Sequence, residues 1–159
     1  MNKEQQFIDQ YSEAIILATN YTPLLPSVKM AQAALETGWG KSTIGSANNL
    51  FGIKATGNHT PYWTGDMVNM STLENYGNGN VQIQDNFRAY KTLKDSIKDH
   101  SHLLMTLPRY APVRAAKTPE EQAHALKAAG YATDLNYAEK LIWIIDQYDL
   151  KTLDVKKKQ

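Results

Sequence analysis

Hydrophobic positions at the start of the chain recur with the period of a helix. Phe7, Tyr11, Ala14, Ile15 and Ala18 fall on one face, which predicts an amphipathic helix from about residue 3 to 20, ended by Thr22-Pro23 and Pro26. After Pro26, Ser27 has the chemistry of an N-cap. Val28, Met30, Ala31, Ala33, Ala34 and Leu35 then leave almost no polar face, so a short helix buried on most sides is expected. Glu36 is the anomaly of that helix: one carboxylate at the end of an apolar segment, just before Gly38 and Gly40 stop it. Another short helix is expected near Lys41 to Ser46.

From about Pro61 to Tyr90 the period changes. Val68-Asn69-Met70 and Val81-Gln82-Ile83-Gln84 alternate with period two, and Tyr76-Gly77-Asn78-Gly79-Asn80 between them has turn composition, which predicts a small antiparallel hairpin. Beyond it Leu93, Ile97, His100 and Leu104 share a helical face, with Leu103 and Leu107 beside them, until Pro108. Thr118-Pro119-Glu120-Glu121 combines an N-cap, a first-turn proline and acids facing the helix dipole, opening a helix that closes at Gly130. A last helix, about Asn136 to Tyr148, buries Tyr137, Leu141, Ile144, Ile145 and Tyr148. Helices, a small sheet, then helices make an α+β order with no βαβ rhythm.

Composition narrows the class. At 159 residues, 42% hydrophobic and 21% charged, the chain is expected to be one globular domain over residues 1–150, with a β-lobe at about 61–90. Lys156-Lys157-Lys158 leads to the expectation that residues 151–159 form a flexible basic tail. A net charge of +1 offers no global field for nucleic acid, and the absence of cysteine excludes disulfide and thiolate chemistry. No stretch approaches the roughly 20 apolar residues of a membrane span. The segment Met1 to Tyr11 and the brief apolar run after it lack the pattern of an export signal, and a monomer is expected.

The environment of Glu36 bears on chemistry. Burial disfavours a charged carboxylate and raises its pKa, the route by which a carboxyl group becomes a proton donor near neutral pH. Glycoside cleavage needs such an acid and a second group that stabilises positive charge on the sugar. Periodicity does not choose among Asp66, Glu74 and Asp85 for that second group, although Glu74 stands in the hairpin where a strand end could face a cleft. Trp39, Phe51, Tyr62, Trp63, Tyr76 and Tyr110 offer flat apolar faces of the kind that stack on sugar rings or fill a core. Asn49 could bind substrate or its own loop backbone. His100 and His102 point in different directions on their helix and do not form a zinc motif, and His100 is expected in the core. Ser101 lacks the glycines of a nucleophile elbow, and no glycine loop follows a strand, so neither a metal nor a cofactor is expected.

Five ordered segments carry a resemblance. They are Ala31-Gln32-Ala33-Ala34-Leu35-Glu36-Thr37-Gly38-Trp39-Gly40, Asn49-Leu50-Phe51-Gly52-Ile53-Lys54, Asp85-Asn86-Phe87-Arg88-Ala89-Tyr90, Ser96 to Leu104 with its Asp99-His100 pair, and Gly130-Tyr131-Ala132-Thr133-Asp134 with Asn136-Tyr137-Ala138. Together, from about Phe7 to Tyr148, they resemble glycoside hydrolase family 73, bacterial and phage β-N-acetylglucosaminidases that include autolysins and the hydrolase domain of the flagellar rod cap. The resemblance implies a lysozyme-like fold, with a helical lobe, a small β-hairpin lobe and an active-site cleft between them. It implies an enzyme acting on peptidoglycan glycan strands at the cell wall, cleaving the β-1,4 bond on the reducing side of N-acetylglucosamine. Glu36 matches the general acid and Glu74 the position of a second carboxylate. Tyr131 matches a cleft tyrosine able to orient the acetamido group or the reacting water. Asn49, Phe51, Tyr76, Trp39 and Tyr110 are the candidate substrate-binding residues. A muramidase or lytic transglycosylase on the same scaffold, and a non-catalytic glycan-binding module, remain the alternatives.

Overall fold

The computed structural model describes residues 2–41 and 46–159. The helix expected near Lys41 to Ser46 falls mainly on residues 42–45 and so lies outside the described residues. In chain order come α1 (Lys3–Leu17), α2 (Pro26–Thr37), β1 (Met67–Asn75), β2 (Asn80–Arg88), α3 (Leu93–Thr106) and a 3-10 turn (Pro108–Tyr110). These are followed by α4 (Ala111–Ala115), α5 (Pro119–Ala128), α6 (Tyr137–Gln147) and α7 (Lys151–Lys156). The two strands pair antiparallel, with Glu74 opposite Val81, Thr72 opposite Ile83 and Met70 opposite Asp85.

The apolar α2 is the centre of the core. Val28, Met30, Ala31, Ala33 and Ala34 are shielded on all sides, packed in one cluster with Ile15 of α1, Leu126 of α5, and Leu141 and Ile145 of α6. The helix begins two residues earlier than the cap chemistry of Ser27 predicts. Pro26 takes the first helical position, and Leu25, at the cap, offers no side-chain hydrogen bond. Ser27 instead donates its N–H and its hydroxyl to Asp154, at 2.8 and 2.7 Å.

Asp154 lies on α7, where a flexible basic tail was expected. Leu150 and Leu153 enter the core there, Asp154 fills the unmet donors of the α2 N-terminus, and Lys158 and Tyr21 share a backbone hydrogen bond of 3.0 Å. The apolar spacing and one carboxylate outweigh the lysine run. Asp154→Ala is therefore expected to cost about 1–2 kcal/mol, the loss typical of a helix-capping acceptor, in urea unfolding.

Neither strand contributes a residue to the central hydrophobic cluster. The hairpin is joined to the body at its base by Arg88, which donates to Asp99 at 2.9 Å and to the Thr56 carbonyl at 2.6 Å, and lies 4.0 Å over the Trp63 ring. Asp99, fully buried on α3, also accepts from the hydroxyls of Thr60 and Tyr90, so this buried ion pair has its remaining oxygen valences satisfied.

Candidate active site

Glu36 occupies the last turn of α2, and the glycine turn after it reverses the chain. The following loop is tied by Asn49. Its side-chain amide donates to the carbonyls of Ile53 and Arg88, each at 2.9 Å, while its oxygen accepts from the N–H of Phe51 and Ile53 at 3.3 and 3.1 Å. This tight loop presses Gly52 against the acid. The backbone of Gly52 is left-handed (φ +62°), and a Cβ there would stand 2.2 Å from Glu36 Oε1. Only glycine leaves room for the carboxyl group.

A cavity of about 780 Å³ opens beside it, walled by both lobes and reached by Glu36, Phe51, Lys54, Glu74, Tyr110 and Tyr131. Burial pushes the Glu36 carboxyl up to about 7; the negative charge of Glu74 adds to the shift and Lys54 opposes it. The carboxyl thus keeps its proton to far higher pH than an ordinary glutamate.

Glu74 shares the inward face of β1 with Val68, Met70 and Thr72, as the period of two requires. It is buried, and its oxygens are both engaged: Lys54 Nζ donates to Oε1 at 2.6 Å and the Thr133 hydroxyl to Oε2 at 2.5 Å. Thr133 in turn accepts the Asn75 N–H at 3.1 Å, fixing the hairpin to the loop between α5 and α6. Lys54 also lies 3.2 Å from Asp85. Burial works against its ammonium, but hydrogen bonds to Glu74 and Asp85 together outweigh that and hold its pKa above the ordinary value. Asp66, the third carboxylate considered, is exposed and stands outside the cavity walls.

Tyr131 packs parallel to Tyr137, ring centroids 5.8 Å apart, and its hydroxyl is buried without a hydrogen-bond partner in the protein. Burial, then the neighbouring phenols and Glu36, raise its pKa well above the ordinary value, so it remains a neutral O–H donor.

Three expected substrate contacts do not reach this cavity. Trp39 continues the left-handed turn (φ +61°), which throws its indole back onto Phe7 and Tyr148 at 5.7 and 4.6 Å. Tyr76 sits at the hairpin tip, 67% exposed, and Asn49 spends its whole amide on loop backbone. His100 is buried as expected. Lys54, Thr133 and Gly52 were not singled out from the sequence, although each lies inside one of the quoted segments. Among the described residues no group of three or more His, Cys, Asp or Glu is placed to hold a metal, and no helix is long and apolar enough to cross a membrane.

A family model described as Glucosaminidase, mannosyl-glycoprotein endo-β-N-acetylglucosaminidase, matches residues 12–150. The peptidoglycan hydrolase FlgJ of Escherichia coli is 40% identical over 147 residues, which are 89% of this chain and 45% of that protein. The exo-glucosaminidase LytG of Bacillus subtilis is 40% identical over 161 residues, 97% of this chain and 55% of that protein. The chain thus spans about half the length of these relatives. The crystal structure of a peptidoglycan hydrolase mutant from a Sphingomonas species superposes with a TM-score of 0.81 at 36% identity, covering 94% of this chain and 97% of that one.

Proposed function

The chain belongs to the glucosaminidase family, glycoside hydrolase family 73, and on that premise we propose that it hydrolyses peptidoglycan at the β-1,4 bond between N-acetylglucosamine and N-acetylmuramic acid. The observation that carries this reading is a carboxyl group pushed up to about 7 facing, across one cavity, a second carboxylate on the opposite lobe. Glu36 gives its proton to the glycosidic oxygen as the C1–O bond breaks, and positive charge develops on the sugar ring. Glu74, oriented by Lys54 and Thr133, either stabilises that charge or takes a proton from the water that adds to C1. The Tyr131 hydroxyl, a neutral donor, suits the acetamido oxygen, and Phe51 and Tyr110 offer apolar walls for sugar faces. Residues 1–150, extended by α7 whose Leu153 packs into their core, form the catalytic unit, acting as a monomer at the cell wall.

Mass spectrometry of peptidoglycan digested by the protein tests this directly. New reducing ends of N-acetylglucosamine are expected. Reducing or anhydro N-acetylmuramic ends would assign the chain to the muramidase or transglycosylase alternatives, and wall binding without any released product would leave only a glycan-binding module.

A further inference from the structure

Glu74 is one of two carboxylates that share a single cation. Lys54 Nζ stands 2.6 Å from Glu74 Oε1 and 3.2 Å from Asp85 Oδ2. The two acids sit on different strands, Glu74 paired with Val81 near the turn and Asp85 with Met70 nearer the base. The lysine belongs to neither strand. Its backbone runs beside β2, where the Arg88 N–H donates to the Ile53 carbonyl at 2.9 Å and the Ala55 N–H to the Asn86 carbonyl at 2.8 Å, and Asn49 braces the same loop. One side chain therefore joins both strands of the hairpin to the loop whose Gly52 packs against Glu36.

The two acids differ in what they can do. Glu74, with 8% of its side chain exposed, is part of the cavity wall. Asp85 keeps 34% of its side chain in solvent, takes no part in that wall, and turns its other oxygen, Oδ1, to the Asn86 N–H at 2.8 Å. Both Asp85 oxygens are thus engaged, and neither is offered to the cavity. Burial works against a charge on Lys54, but hydrogen bonds to Glu74 and Asp85 outweigh it, so the group is an ammonium with hydrogens for both acids at once. A buried carboxylate is costly without a paired charge, and the Thr133 hydroxyl at Oε2 supplies none. Glu36 is faced by Glu74 and Lys54, of opposite sign, and by the phenols of Tyr131 and Tyr137. Two carboxyl groups in one cavity tend to share a proton, and an ammonium paired with only one of them breaks that symmetry.

We propose that Lys54 and Asp85 form a positioning pair: Lys54 holds Glu74 as the anion of the cavity while Glu36 keeps the proton, and Asp85 acts on the reaction only through Lys54. A lysine stem of four carbons with one partner can swing, and a second carboxylate on the neighbouring strand decides where its ammonium stands. The inference rests on the glucosaminidase reading for the task of Glu74, and on the geometry of the three charges for the pair itself.

Carbon-13 NMR titration of the glutamate carboxyls tests the role of Lys54 without turnover. In the parent, Glu36 is expected to titrate in one step near 7 while Glu74 stays ionised through it. In Lys54→Met the doubly charged pair loses more than the singly protonated pair, so uptake of its first proton moves to higher pH and both carboxyls respond to it. An unmoved Glu36 curve overturns the role of Lys54. A double-mutant cycle on kcat tests Asp85. Lys54→Met is expected to lose at least about tenfold, from a Glu74 no longer held in place, and Lys54→Arg, which keeps the charge, to lose less. Equal losses in the two would reduce Lys54 to packing. Asp85→Asn is expected to lose about two- to fivefold at unchanged KM, the range for a half-exposed ion pair, and nothing further in the Lys54→Met background. The same loss in both backgrounds would make Asp85 a structural residue of the hairpin, and a loss larger than that of Lys54→Met would make it a catalytic carboxylate; either overturns the pair. A parent protein that released no glycan product would sink the functional reading while leaving the carboxyl titrations to decide the pair.

Discussion

Glu36→Gln is expected to abolish turnover and, at the same time, to make the fold more stable above pH 7. The two effects share one cause. The folded carboxyl titrates near 7, whereas an ordinary glutamate titrates at 4.5. Between those values the folded state holds more protons than the unfolded state, so the contribution of Glu36 to stability falls as pH rises through that window and stays at its lowest above it. The difference corresponds to about 3 kcal/mol. Glutamine keeps the shape and carries no charge, so the variant should melt with the parent near pH 4 and distinctly above it at pH 8. It should also lose about 10²–10⁴-fold in kcat, the range for a lost general acid, and the parent's kcat/KM should fall on the alkaline side near pH 7. Thermal unfolding at the two pH values and a rate profile on peptidoglycan measure all of this. Matching stabilities at pH 8 would mean that Glu36 is not held protonated by its site.

Gly52→Ala is expected to damage activity far more than stability. The left-handed backbone of residue 52 costs an L-residue about 1–2 kcal/mol. The new methyl would also overlap Glu36 Oε1, at 2.2 Å. The carboxyl lies at the end of a rotatable side chain, so it can retreat by about an ångström without unfolding α2, and a displacement of that size costs roughly 100-fold in rate. Gly77→Ala separates the two effects. It has a positive φ of 108° and nothing within 4 Å of the added carbon, so it should show the backbone penalty with activity unchanged. A fully active Gly52→Ala would show that Glu36 does not need its observed position.

Much of this site was legible because its main signal is a conflict with periodicity. A carboxylate at the end of a helix with no polar face is visible in sequence, and α2 proved to be the centre of the core. Counting by two from Val68 and Met70 also reaches Glu74 on the inward face of β1. What the sequence does not contain is the partner. Lys54 and Thr133, 20 residues before and 59 after Glu74, distinguish it from Asp66 only once the chain has folded. Aromatic residue type says that Trp39 and Tyr76 are available for stacking, but the side of the fold each faces depends on backbone turns. The end of the chain misled for a related reason. Three lysines dominate its composition, while only Leu150 and Leu153 enter the core there, and Asp154 finds its partner Ser27 127 residues upstream.

The hairpin outside the hydrophobic cluster divides the molecule thermodynamically. A two-stranded sheet has little stability of its own, and this one is attached by an ion pair and carbonyl bonds at its base and by Glu74 and Asn75 at its far end. Opening the far end sacrifices a handful of polar contacts and almost no buried apolar area, whereas disturbing α2 means dissolving the core. Glu36 therefore sits on the part of the protein whose opening requires dissolving the core, and Glu74 on a part that can swing locally. On the proposed function, a rigid Glu36 and a yielding counter-wall would let the cleft admit a stiff, crosslinked polymer without loosening the residue that holds the proton.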